Sequence, residues 1–324
     1  MKSSGIGGQA VIEGIMMKNQ DRYAVAVRKP DQTIEVDVKE CSTGKNPVLK
    51  KIPVVRGVLN FIESLVLGMK TLTFSASFFE EDEEPEKPGK SEKAESLIMG
   101  LTVACSVVLA VAIFMVLPYF ISELLRPYIV SATLMALIEG CIRIAIFIGY
   151  IFLITLMKDI QRVFMYHGAE HKCINCIESG LPLTVENVRI SSKQHKRCGT
   201  SFLLIVMVVS VIFFIFIRTS SPVSRVVIRL LLVPVIAGVS YEFIRLAGNS
   251  DSKLVDILSK PGMLLQRLTT REPDDSMIEV AIKAVEAVFD WKQYLLDEGK
   301  ITKEEFSQLK AEEGFEFMEN EAED

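Results

Sequence analysis

Histidine is nearly absent from this chain of 324 residues, which holds three, and tryptophan occurs once. The start has no basic segment followed at once by an apolar run, so no cleaved signal peptide is read there. The glycine-rich opening, Gly5-Ile6-Gly7-Gly8-Gln9-Ala10-Val11-Ile12-Glu13-Gly14, lacks the full spacing of a dinucleotide loop and the lysine of a Walker loop. It reads instead as a tight turn leading into a strand. No repeat of solenoid period is present. Basic charge is not in excess, and a net charge of −5 argues against a nucleic-acid partner. Two stretches, Leu97 to Ser122 and Thr200 to Ile217, lack charge altogether. Each is about long enough to cross a hydrocarbon core of about 30 Å, and both are read as membrane spans.

What is there fits that reading. The chain is 49% hydrophobic with a mean hydropathy of +0.32. Two further spans follow: Ser131 to Met157, interrupted by Glu139 and Arg143, and Val226 to Leu246, interrupted by Arg229, Pro234 and Glu242. Charges at that depth are costly and face one another inside a bundle, so Glu139 and Arg143, at i and i+4, are expected to pair, with Arg229 nearby. Glu242 lies at the level of the histidines and is read first as a salt-bridge partner for Arg245, and otherwise as a third metal ligand or a group that orients one. Lys158, Arg162, Lys172, Arg189, Lys193, Lys196 and Arg197 all lie between the second and third spans, which places that segment in the cytoplasm by the positive-inside rule. Both termini then fall on the same side, and Cys41, Cys173, Cys176 and Cys198 are expected to be reduced.

The expected fold is therefore a membrane α-helical protein of four transmembrane helices, with a small N-terminal cytoplasmic α+β region and C-terminal cytoplasmic helices. Residues 1–52 form the α+β domain, in which Tyr23 to Arg28 and Thr33 to Val38 pair as a hairpin about Pro30-Asp31. Residues 53–79 form a helix whose Arg56, Glu63 and Lys70 recur on one face. It is read first as amphipathic and interfacial, second as a re-entrant or fifth spanning segment, and nearly level with the first as a core helix of the soluble part. Residues 80–96 are an acidic linker. Residues 97–248 hold the four spans and the cytoplasmic loop 158–199. Residues 249–324 are cytoplasmic helices, with a helix start at Pro261, a capping turn at 269–276, a packed helix from Ile278 to Trp291 and a frayed acidic tail from Glu312.

All three histidines, with three of the six cysteines, fall between residues 167 and 198. His167, Glu170 and His171 read H-x-x-E-H, which on a helix sets both imidazoles on one face with a carboxylate beside them. Such a pair can hold Zn²⁺ while leaving room for a third ligand and a water, whose proton the glutamate can take. A competing reading pairs Cys173-x-x-Cys176 with His195-x-x-Cys198 as a closed structural zinc site. Bland alternatives are helix-capping histidines and buried, inert cysteines.

Several blocks together resemble the YqhQ-like family of bacterial multi-pass membrane proteins. They are Gly7-Gly8-Gln9-Ala10-Val11-Ile12-Glu13-Gly14-Ile15-Met16-Met17, Arg56-Gly57-Val58, His167-Gly168-Ala169-Glu170-His171-Lys172, Arg197-Cys198-Gly199-Thr200-Ser201-Phe202 and Thr270-Arg271-Glu272-Pro273-Asp274. The resemblance runs from residue 7 to about 288 and implies a metal-dependent activity. It picks out His167, Glu170, His171, His195, Arg197 and Cys198 and leaves out Cys173, which favours an open site of His167, His171 and either His195 or Cys198. Where relatives often carry proline after the third histidine, this chain has Lys196.

The expected function is a hydrolytic enzyme dependent on a divalent metal, zinc, with its site at the cytoplasmic membrane face. Glu170 is the expected base, and Arg197 the expected holder of an anionic part of the substrate. The lipid bilayer is the expected partner, and location alone suggests a lipid head group or a membrane-tethered peptide as substrate. The alternative is a non-catalytic membrane scaffold or assembly factor with a structural metal. A thiol redox role for Cys173 and Cys176 ranks last, because no thioredoxin-like context surrounds them.

Overall fold

A computed structural model describes residues 3–41, 51–79, 92–217, 219, 221–248 and 253–320. Four strands open the chain, β1 (Gly7–Val11), β2 (Gly14–Asn19), β3 (Arg22–Arg28) and β4 (Ile34–Glu40), paired antiparallel in chain order. Helices follow: α1 (Val55–Ala76), α2 (Glu92–Val111), a π turn at Ala112–Val116, α3 (Leu117–Glu123), a 3₁₀ turn at Arg126–Tyr128, α4 (Ala132–Ile154), α5 (Lys158–Glu178) and α6 (Val185–Ile190). Then come α7 (Gly199–Ile215), α8 (Pro222–Gly248), α9 (Lys253–Thr269), α10 (Asp275–Glu286), α11 (Trp291–Asp297) and α12 (Lys303–Asn320). Most of the expected linker, residues 80–91, lies outside the described residues, as do residues 321–324 of the tail; from Glu312 to Asn320 the expected frayed tail is helical instead.

The sheet is covered on both faces. Ile15, Met17 and Ala26 point into a core shared with Tyr166, Ala169, Cys173 and Ile177 of α5 and with Met277, Ile278, Ala281 and Val285 of α10. Val11, Met16, Tyr23, Val25 and Val27 face the other way and pack on Leu67 and Phe74 of α1. Burial on both faces explains why β2 reads as a continuous apolar run rather than an alternating one. The N-terminal strands thus have no core of their own. The expected packing of Ile278, Ala281 and Val285 is as read, and Asp274 caps α10 by accepting from the Met277 N–H at 2.9 Å.

Among the described residues, four helices are long and apolar enough to cross a membrane: Val55–Ala76, Gly100–Glu123, Ala132–Ile154 and Val223–Leu246. The set differs from the expected one. Gly199–Ile215 is a shorter apolar helix, and its 17 residues span about 25 Å at 1.5 Å per residue. Three of the four expected spans are recovered at full length, while α1 qualifies by length and composition. Helix α9 also departs from expectation by running through Pro261 rather than starting there. The backbone bond that proline forgoes is offset by burial of Leu265 and Gln266 on the following turn.

Helix α1 is inverted relative to a soluble helix. Its buried positions are Gly57, Gly68, Thr71 and Ser75, while Ile62, Leu65, Val66, Met69 and Leu72 are 37–54% exposed. Its first turns lie on the C-terminal end of α8. A Cβ on Gly57 would come within 2.7 Å of the Gly238 backbone oxygen, so only a glycine pair allows this approach. Asn60 donates to the Tyr241 hydroxyl at 2.7 Å. Arg56 grips Glu242, its Nε donating at 2.7 Å, so the expected Glu242–Arg245 pair gives way to one across the helix contact. The later turns lie on the sheet, where Lys18 pairs with Glu63 at 3.2 Å and the Ile12 N–H donates to Ser75 Oγ at 3.1 Å.

Candidate metal centre

Helix α5 carries His167, Glu170 and His171 at the point where the sheet, α7 and α9 meet it. Their i, i+4 spacing brings the two imidazoles edge to face with ring centroids 4.4 Å apart. Each ring is oriented by a backbone carbonyl. His167 Nδ1 lies 2.8 Å from the Thr269 oxygen at the end of α9, and His171 Nδ1 lies 2.8 Å from the Lys193 oxygen. A carbonyl can only accept, so both Nδ1 atoms carry the proton and the Nε2 atoms of the neutral rings turn a lone pair toward Cys198. Burial pushes the His171 imidazole below its ordinary value, so it stays neutral and able to ligate.

The third donor is Cys198, the N-cap of α7. Its Sγ lies 3.2 Å from His167 Nε2 and accepts from the Thr200 N–H at 3.3 Å, where the helix N-terminus favours negative charge. Donor atoms of His167, His171 and Cys198 all lie within 4.8 Å of one another. Bonds of about 2.0–2.3 Å in a tetrahedron set ligand atoms roughly 3.3–3.6 Å apart, so rotamer shifts of about an ångström close this group on an ion. Two imidazoles and a thiolate suit zinc, with a fourth position left over.

Glu170 stands beside this group, buried, with Oε1 accepting the Gly8 N–H at 3.1 Å. Burial pushes its carboxyl up, against the opposing pull of His167 and the Gly8 N–H. Gly8 is needed for that approach: a Cβ there would come within 2.5 Å of the Met16 oxygen and 3.2 Å of the Glu170 carboxyl carbon. The glycine-rich opening is thus a strand that passes close over the expected base, where the sequence alone suggested only a turn and a strand.

His195 and Arg197 turn to Glu178 instead, with the His195 ring 5.8 Å from that of His171. His195 turns Nε2 toward Glu178 Oε2 at 3.5 Å, and its N–H donates to Gln266 Oε1 at 2.9 Å. Of the two alternatives for third ligand, the group contains Cys198. Arg197, expected to face a substrate anion, has its guanidinium on Glu178 and Ser3. Glu178 also accepts the Ser4 N–H at 2.8 Å. Burial alone would raise the Glu178 carboxyl, but His195, Arg197 and the Ser4 N–H outweigh it and hold it at about 2. Sequence reading passed over Glu178; its position seven residues after His171, on the same helix face, was the available signal.

Cys173 and Cys176 are buried in the core shared with the sheet. Cys173 is about 200° round the helix from His171 at 100° per residue, which turns it away from the metal group. This overturns the closed Cys₂HisCys reading. Burial pushes the Cys176 thiol up to about 11 and Cys173 well above its ordinary value. Neither supplies the thiolate that redox exchange needs.

A family model described as "Protein of unknown function (DUF1385)" matches residues 52–291. "Uncharacterized protein YqhQ" of Bacillus subtilis (strain 168) is 38% identical over 288 residues, covering 86% of this chain and 90% of that relative. No solved structure matches the chain.

Proposed function

The chain belongs to the DUF1385 family of proteins of unknown function, and for it we propose a membrane-embedded hydrolase dependent on a divalent ion, zinc, held by His167, His171 and Cys198. The observation that carries this reading is the convergence of these three donors with both Nδ1 protons already committed to backbone carbonyls. His167, His171 and Cys198 would hold the ion, which when bound would supply Lewis acidity. Glu170, whose carboxyl burial pushes up, would take a proton from the attacking water and hand it to the leaving group. Gly8 holds Glu170 in place through one N–H. Arg197 braces Glu178 and the N-terminal residues against α5 rather than facing substrate.

In this reading α2 with α3, α4, α7 and α8 cross the membrane, and α5 runs on beneath the cytoplasmic face. The basic residues between α4 and α7 and the large apolar side chains exposed on all these helices support it. Cys198 sits where α7 enters the apolar layer, which favours a substrate borne by the membrane: a lipid head group or a tethered peptide. A second reading, a structural clamp, is favoured by one observation. The donors and their carbonyl partners come from α5, α7, α9 and the segment before α7, so an ion there would tie these elements together.

Metal analysis of the detergent-purified full chain tests both. About one ion per chain is expected, lost in His167→Ala, His171→Ala and Cys198→Ser and kept in Cys173→Ser, His195→Ala and Glu170→Gln. Wild type without metal after supply of zinc, manganese or iron sinks the proposal. Glu170→Gln separates the readings: a hydrolase loses its function with metal and melting temperature intact, whereas a clamp is unaffected.

A further inference from the structure

At the ends of α4, α7 and α8 remote from the metal group, the helices enclose a second cluster of charge. Glu139 bridges two arginines: its Oε1 accepts from Arg143 at 3.0 Å and its Oε2 from Arg229 at 2.9 Å. All three residues are 3–4% exposed. Both guanidiniums stack on Phe214, at 4.7 and 4.8 Å from the ring centroid. Arg143 also donates to Ser210 Oγ at 3.3 Å. One turn nearer the helix ends, Arg225 lies over Tyr119 at 4.9 Å and donates to the Thr219 oxygen at 3.1 Å. Glu139 is seven residues into α4, about 10 Å from its start.

Charge and hydrogen bonding fail to close here in the same sense. Three arginines stand against one bonded carboxylate among the described residues. An unbalanced charge inside an apolar bundle is strongly disfavoured. Five buried side-chain polar atoms have no partner among the described residues, and four of them are here: Arg143 Nε, Arg225 Nε, Arg229 Nε and Thr219 Oγ1. Every one of the four can donate. What the cluster lacks is an acceptor carrying negative charge.

We propose that Arg143, Arg225 and Arg229 form a binding site for a phosphate group, reached past half-exposed Arg225 and carried either by an anionic phospholipid or by free phosphate. A tetrahedral oxyanion could accept the Nε–H groups left over once Glu139, Ser210 and Phe214 have fixed the guanidiniums of Arg143 and Arg229. Arg225, whose neighbours are an aromatic face and a backbone carbonyl, is the member free to turn its Nε–H to the ligand. This site is independent of the metal reading and stands or falls separately from it.

Native mass spectrometry on the full chain in neutral detergent tests it, with phosphatidylglycerol, phosphatidylcholine or inorganic phosphate added. Wild type is expected to retain one phosphatidylglycerol with about tenfold preference over phosphatidylcholine, and Arg225→Gln to lose that preference. A phosphate adduct that competes with the lipid assigns the site to the free ion, and retention of lipid against excess phosphate assigns it to the head group. Arg189→Gln, on a surface pair with Asp275, should match wild type. Arg225→Lys keeps the charge without the fork and should fall between wild type and Arg225→Gln. Equal retention of the two lipids with no phosphate adduct overturns the proposal, as do adducts that neither Arg225 variant weakens.

Discussion

Two backbone carbonyls determine what the paired imidazoles can do. Thr269 and Lys193 each take an Nδ1 proton, which turns a pair of histidines at helical spacing into a pair of ligands with known tautomer. The spacing was visible in the sequence, whereas the carbonyls come from segments far along the chain and carry no side-chain signature. Glu178 is the second case. His195, Arg197 and the Ser4 N–H hold its folded carboxyl at about 2, well below the usual carboxylate range. A depressed carboxyl contributes stability that is complete above the unfolded value and is lost as pH falls through the folded one. The melting-temperature gap between wild type and Glu178→Gln should therefore be widest above about pH 5, shrink below about 4.5 and close near 2. A gap that does not change with pH would show that the contacts of Glu178 with His195, Arg197 and Ser4 contribute nothing specific to its charge.

Helix α1 shows how an element's composition and its placement can disagree. By length and hydropathy it could cross a membrane. Its first turns, however, rest on Tyr241 and Glu242 at the end of α8 near the metal group, and its later turns rest on the sheet. The sheet carries Glu35, Asp37, Lys39 and Glu40 on β4 and cannot enter hydrocarbon. We propose that a helix bound to both lies along the membrane face, with Ile62, Leu65, Val66, Met69 and Leu72 toward lipid. Single cysteines at Leu65 and Met69 are expected to be quenched by lipid-phase reagents. Cysteines at Lys51 and Ser77 should both react with a water-soluble reagent from the same side of the membrane. Labelling of those two positions from opposite sides would restore the spanning reading. The heptad of Arg56, Glu63 and Lys70 announced an amphipathic helix, but only the contacts separate lipid from protein as what its apolar face meets.

Across the whole molecule, the N-terminal sheet and the histidine helix are one folded unit. Ile15, Met17 and Ala26 share a core with α5 and α10; Gly8 bonds Glu170 and Ser4 bonds Glu178. A chain starting at residue 42 should therefore lose metal along with the sheet and elute as aggregate, and retention of about one ion per chain at an unchanged melting temperature would contradict that dependence. The sequence by itself determined three of the four long apolar helices, the β3–β4 hairpin, the Glu139–Arg143–Arg229 cluster and the pairing of His167 with His171. Each of these is written in short-range periodicity or in charge that has nowhere else to go. Tertiary structure alone decided that Cys198 lies with His167 and His171 while His195 turns its Nε2 to Glu178, that Cys173 and Cys176 are core, that Arg197 pairs with Glu178, and that α1 rests on the sheet. Those outcomes depend on which of several chemically suitable groups long-range packing brings within a few ångströms, and local sequence carries no record of that distance.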